Sequence, residues 1–157
     1  MTRVLVLLAM LGCALASAAA SAPAIQVAGE YVVTNPGALT CVPIGNSPSN
    51  FRCTITGFTS DYSGTLTGSS TLDFVQFIDC RRGTTHGHGF ETFTGTVAGV
   101  GSGTLTWQTT FHASFDCTTL LPSDFRGRGS ITGGTGALAS LRGPLTFTID
   151  TYEGVLH

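Results

Sequence analysis

The residues of this chain best suited to chemistry lie close together: His86-Gly87-His88 and, three positions on, Glu91. Residues two apart on a strand share a face, and imidazoles beside a carboxylate suit zinc or copper. The surroundings speak against a metal. Arg81 to Gly89 is rich in Gly, Thr and Arg and reads as an exposed turn, with no third or fourth ligand close by. His86 and His88 are thus the metal candidates, and neither a metal nor another cofactor is expected. Glu91 carries a different chemistry. If Phe93 and Val97 point inward, a period of two places Glu91 inward as well. A carboxyl in an apolar interior has its pKa raised and can accept or donate a proton, so Glu91 is the candidate catalytic residue. The alternative puts it at the rim of the sheet, hydrated and inert.

The remaining polar residues form no constellation. His112 falls on the wet face of its strand, and Arg126 and Arg128 share an outward face where they could meet an anion. Gly99-Val100-Gly101-Ser102-Gly103 reads as a hairpin turn and not as a nucleophile elbow. Gly133-Gly134-Thr135-Gly136 lacks the lysine of a phosphate loop. No Ser/His/Asp set can be assembled from spacing.

The elements that must position Glu91 are strands. Thr, Val, Phe and Ile dominate, Gly recurs every few residues, and no long stretch keeps a helical apolar period, which predicts antiparallel β. The expected strands are 25–33, 51–59, a short 64–68, 71–80, 89–97, 103–116, 125–132 and 144–153, about eight in all. In 104–116 the residues Leu105, Trp107, Thr109, Phe111, Ala113 and Phe115 share one face, and Thr104, Thr106, Gln108, Thr110, His112 and Ser114 the other. Leu145, Phe147 and Ile149 repeat the pattern in the last strand, and Phe125, Gly127, Gly129 and Ile131 in the one before. Inward glycines suit a sharply bent strand or a ligand that approaches closely. Phe74 to Ile78 is apolar on both faces except Gln76, so its outer side needs a cover. That is either the Pro-rich loop Asn35–Asn50, which also suits a lid, or a second subunit.

Gly133 to Gly143 reads as a glycine-built turn, one short helical turn that buries Leu138 and Leu141, and a glycine stop, running into the strand from Pro144. This unit resembles the closing element of the allene oxide cyclase-like and dirigent-like β-barrels. It resembles still more closely a small bacterial barrel family of unassigned function. The resemblance covers roughly Phe90 to the end. It implies an all-β fold: a single closed antiparallel barrel of about eight strands, with the short helical turn before the last strand and a lumen that encloses one small ligand. Trp107, Phe111 and Phe147 would then be the ligand-binding residues. Neither group's catalytic residues map onto this sequence. The implied function is uptake of a small apolar or aromatic molecule. The alternatives are a cyclase or isomerase in the same lumen using Glu91, and a surface interaction domain with a filled core.

Composition narrows the setting. Seven arginines and no lysine stand against nine Asp/Glu, for a net charge of −2, which is not the basic excess of a nucleic-acid binder. Lysine's absence beside abundant Ala, Gly and Thr suggests a GC-rich bacterial genome. Residues 1–20 combine Arg3, an apolar run from Val4 to Leu11 and Ala/Ser at A-x-A spacing, which marks a secretory signal too short to span a bilayer. Residues 21–157 would form one secreted domain with no membrane span, as a monomer or a homo-oligomer. Leu11-Gly12-Cys13 leaves lipid attachment through Cys13 as the alternative. Four further cysteines allow three pairings, and an exported chain favours disulfides over metal. We expect Cys41–Cys53, closing the loop, and Cys80–Cys117, joining two strand ends. Mass spectrometry of the exported protein should find an N-terminus produced by cleavage between Ala18 and Ser21; an intact Met1, or lipid on Cys13, would refute this.

Overall fold

The computed structural model describes residues 23–157; the leader 1–20 with its cleavage site and Cys13 lie outside the described residues. The strands are β1 (Ile25–Asn35), β2 (Ala38–Pro43), β3 (Asn50–Gly64), β4 (Leu66–Asp79), β5 (Thr84–Val97), β6 (Gly101–Asp116), β7 (Leu121–Gly134), β8 (Pro144–Phe147) and β9 (Thr151–Leu156). One 3-10 turn, Gly136–Leu138, precedes β8. All strands pair antiparallel in one sheet, in the order β1-β9-β8-β7-β6-β5-β4-β3-β2. β1 also pairs with β3, Gly29 opposite Gly64 and Tyr31 opposite Tyr62, so the sheet closes into a ring.

The count is nine and not about eight, and three boundaries differ from the sequence reading for physical reasons. The expected loop Asn35–Asn50 contains β2, which continues along β3 beyond the break at Pro36-Gly37. Pro36 has no N–H to give a ladder, and Gly37 takes φ +75°, where a Cβ would sit 2.6 Å from the Thr56 carbonyl oxygen. The expected short strand 64–68 is the corner at which β3 turns into β4. The expected final strand 144–153 is a hairpin, β8 and β9, whose turn is held by a 2.6 Å contact between the Thr148 and Thr151 hydroxyls. Ile149 sits in that turn, 55% exposed, and not on the inner face of a strand.

The faces of β6 follow the period-two reading. Leu105, Trp107, Thr109 and Ala113 are buried, while Gln108, Thr110, His112 and Ser114 are exposed. Outside, hydroxyl residues form cross-strand ranks, Thr71–Thr92–Thr106 and Ser69–Thr94–Thr104. β-branched side chains suit a pleated surface, and their hydroxyls wet it without charge. Inside, one end of the ring is packed solid. Leu138 and Leu141, from the turn between β7 and β8, join Leu66, Val97, Leu105 and Leu156 there. Gly143 ends that turn at φ +146°, a region that other residues rarely adopt. A separate cluster of Cys53, Ile55 and Ile78 lies on one side toward the other end, with Phe115, Cys80 and Cys117 against it.

Inward glycines on β7 serve rings from neighbouring strands. A Cβ on Gly129 would lie 3.0 Å from Trp107 and 3.1 Å from Phe147, two rings that stack with centroids 6.3 Å apart. Along β4, Phe74, Gln76 and Ile78 alternate with the outward Val75 and Phe77. Phe77 has the imidazole of His86 stacked on it at 5.3 Å, and Ile44 of the 35–50 segment borders the same outer groove.

Both expected disulfides are present. Cys41 and Cys53 stand directly opposite on β2 and β3, with Cα atoms 4.0 Å apart. Cys80–Cys117 ties the end of β4 to the chain after β6, with Cα atoms 5.7 Å apart. Closing loops of 12 and 37 residues contributes about 3 and 4 kcal/mol on the loop-entropy view. Two such bonds point to an oxidising, extracellular-type environment. No helix among the described residues is long and apolar enough to cross a membrane.

Trp107 is fully buried at the centre of the larger cluster. Trp107→Ala should therefore cost about 3–5 kcal/mol on chemical denaturation, and a loss under about 1 kcal/mol would contradict its place in the core.

Candidate functional site

Beyond the end packed by Leu138 and Leu141 the inner faces leave a cavity of about 570 Å³. Its inner end is formed by the buried residues Tyr62, Glu91 and Thr109, and its outer end by the exposed Val33, Leu39, Leu120 and Ile149. The opening therefore runs along the seam between β2 on one side and the start of β7 with the β8–β9 turn on the other. The walls between are mainly phenylalanine. Phe111 from β6 meets Phe74 at 5.5 Å and Phe125 at 5.7 Å. The lumen is thus packed at one end and open at the other.

Glu91 is 6% exposed, which places it inside and not at a hydrated rim. Three strands hold its carboxyl. The Tyr62 hydroxyl on β3 donates to Oε1 at 2.7 Å, and the Ser70 hydroxyl on β4 donates to the same oxygen at 2.6 Å. Indole Nε1 of Trp107 on β6 donates to Oε2 at 3.0 Å. Burial pushes the Glu91 pKa up from its ordinary value, while the donors from Ser70, Tyr62 and Trp107 pull it back in part. Burial raises the Tyr62 and Tyr31 hydroxyls as well, with Glu91's charge adding to the effect. Tyr31 stacks on Tyr62 at 5.7 Å and donates its own hydroxyl to the Thr148 carbonyl. Thr109 supplies a further polar atom: its Oγ1 is buried, lines the same cavity and has no hydrogen-bond partner.

The site residues read from sequence fall in different places. Phe111 and Phe147 line the cavity, and Trp107 does not; it lies behind Glu91 and reaches the site only through its indole N–H. Gln76 lines the cavity from β4. His86 and His88 are not in a turn, because β5 begins at Thr84; both are exposed on its outer face. His112 stands opposite His86, and Arg126 opposite His112, all outside the ring. Among the described residues no three His, Cys, Asp or Glu side chains are grouped to hold a metal ion. Arg126 and Arg128 border an outer groove of about 780 Å³. It is lined largely by exposed Thr and Arg with no unsatisfied buried polar atom, so the inner cavity is the stronger site.

Tyr62, Ser70 and Thr109 were not singled out from sequence. They lie 29, 21 and 18 positions from Glu91, where no local spacing connects them. Extending the period of the third strand through Ser60 to Tyr62 would have placed Tyr62 inside.

No protein-family model matches the chain, and no curated protein matches it. Among solved structures, a protein of unknown function from the DUF3224 family of Shewanella oneidensis superposes with a TM-score of 0.61 at 18% identity. That match covers 86% of this chain and 98% of the other. At that identity the likeness is one of fold. It agrees with a small bacterial β-protein whose family carries no assigned activity.

The environment of Glu91 sets a pH signature. With its native pKa above the unfolded value, the folded state keeps a proton that the unfolded state has released, so raising the pH favours unfolding. The stability of the wild type relative to Glu91→Gln should fall as pH rises from about 4.5 through the native value, and then level off. A difference that does not change with pH in denaturation curves would mean that the carboxyl is hydrated.

Proposed function

We propose that the chain is an exported closed β-barrel protein, of the allene oxide cyclase-like kind, that takes up one small, mainly apolar molecule in its lumen. It makes and breaks no bond. The observation that carries this reading is the cavity: about 570 Å³, walled largely by phenylalanine, with few polar groups, the hydrogen-bonded cluster around Glu91 at its inner end and Gln76 and Thr85 farther along. Ligand sites commonly fall in a range of about 300–1,000 Å³, mostly apolar with a few convergent polar groups. Export is supported by the apolar leader of residues 1–20 and by the two disulfides. The Gly133–Gly143 unit, packed as a plug on one end of the ring, supports the barrel.

A second reading, a cyclase or isomerase in the same lumen, is favoured by the buried carboxyl with its raised pKa. A proton acceptor in an apolar pocket is what proton transfer needs. Against it, three neutral donors already engage the carboxyl, and the other ionisable groups that line the cavity among the described residues are the phenols of Tyr31 and Tyr62, which burial makes weaker acids still.

The neutral apolar dye N-phenyl-1-naphthylamine tests uptake. It should bind the native protein one to one with enhanced emission. Ala113→Phe, which projects a ring into the cavity, should abolish that signal with far-UV circular dichroism unchanged. Dye binding that ignores the substitution would put the ligand elsewhere. Conversion by the wild type of a molecule captured from host extract, lost in Glu91→Gln, would establish the enzyme instead.

A further inference from the structure

The polar end of the cavity has a sign. Glu91 is the carboxyl that lines it; among the described residues the other ionisable lining groups are the phenols of Tyr31 and Tyr62, and no arginine or histidine lines it. The groups that face Glu91 are Tyr62 from β3, Ser70 from β4 and Trp107 from β6, all neutral donors. A buried carboxylate held only by neutral donors carries an uncompensated charge, and burying such a charge is costly unless a counter-ion joins it. Among the described residues no cation is placed there.

Two further observations fix what the ligand must present. A carboxylate offers about four lone-pair positions. Oε1 already accepts two bonds and Oε2 one, so a position on Oε2 remains open. Thr109 Oγ1, on β6 one inward position beyond Trp107, is buried in the same cavity without a partner. The carboxylate oxygen only accepts, and the hydroxyl can accept as well as donate, so a group with several N–H bonds satisfies both at once. The adjoining walls are aromatic: Tyr31 stacks on Tyr62, with centroids 5.7 Å apart, and meets Phe147 edge-on at 6.1 Å. Ring faces attract cations. An alcohol would satisfy one acceptor and leave the charge unbalanced. A fatty acid or phenolate would bring a second negative charge to the first.

We propose that the lumen's ligand is an apolar amine, bound as its ammonium ion with nitrogen against Glu91 Oε2 and Thr109 Oγ1 and its hydrocarbon body among the phenylalanines. The proposal rests on the lumen-uptake reading above and names the ligand class for that site.

Three probes with the same skeleton separate the ideas: 4-phenylbutylamine, 4-phenylbutanol and 4-phenylbutyrate, each titrated at neutral pH against the full chain carrying N-phenyl-1-naphthylamine. The amine should displace the dye at least about tenfold more tightly than the alcohol, the worth of one charge-assisted hydrogen bond, with the acid weakest. Glu91→Gln should bring amine and alcohol together, by weakening the amine far more than the alcohol. Thr109→Val, which keeps the shape but removes the hydroxyl, should also weaken the amine more than the alcohol. An alcohol or acid that competes as well as the amine overturns the proposal and leaves lumen uptake standing, as does an amine that fails to displace a bound dye. Failure of the dye itself to bind removes the uptake reading, and this proposal with it.

Discussion

Hydrogen bonding along both edges of β1 is what gives this protein an inside. Its first half pairs with β9, Ile25 against Leu156, and its second half with β3, Gly29 against Gly64. A sheet of strands this rich in Val, Thr and Phe would otherwise expose two edges and one apolar face. With β1 shared, the apolar face turns inward and one edge pair disappears. The price of closure is local. β3 is longer than the part of β1 available to it, so its remaining half takes β2 as partner, with Pro36-Gly37 as the break between the two. The free side of β2 then becomes one lip of the cavity, and the disulfide to Cys53 holds that lip against the ring.

From this closure the interior follows by volume. Leucines from the β7–β8 turn occupy one end, and the cysteine and isoleucine cluster lies to one side toward the other. Aromatic residues between them lean onto glycines and onto each other, and they leave the rest open. Into that opening one strand delivers a carboxyl and its neighbours deliver the donors. Glu91 and Trp107 are direct partners on β5 and β6, so the indole N–H reaches the carboxyl across a single strand pair. The arrangement needs register correct across four strands at once. A one-residue slip in β5 would turn Glu91 to solvent and Phe90, which is now outside, to the lumen.

Features fixed by short-range pattern were legible in the sequence. The two faces of β6, the buried Leu138 and Leu141 between glycines, and the cysteine pairing all depend on residues close in the chain or on simple counting. Features decided by distant partners were not. β2 is six residues between prolines and reads as loop; its strand character comes from β3 and the facing Cys53. The β8–β9 turn carries no glycine or proline to announce it, because two threonine hydroxyls close it instead. His86 looked like a ligand in a turn, whereas its ring stacks on Phe77. Glu91 was placed on the correct face by alternation. Its donors, which decide what the carboxyl can do, come from strands that only the closed sheet brings alongside.

The indole that donates to Glu91 belongs to the chain's single tryptophan. Indole emission responds to charge and to hydrogen bonding at its nitrogen, so the protein contains one fluorophore wired to its most unusual carboxyl. Ultraviolet light absorbed by the native chain at the red edge therefore reports from one place alone. The colour of that emission is an intrinsic gauge of whether the inner end of the lumen is charged, neutral or occupied, and it needs no label and no engineered residue.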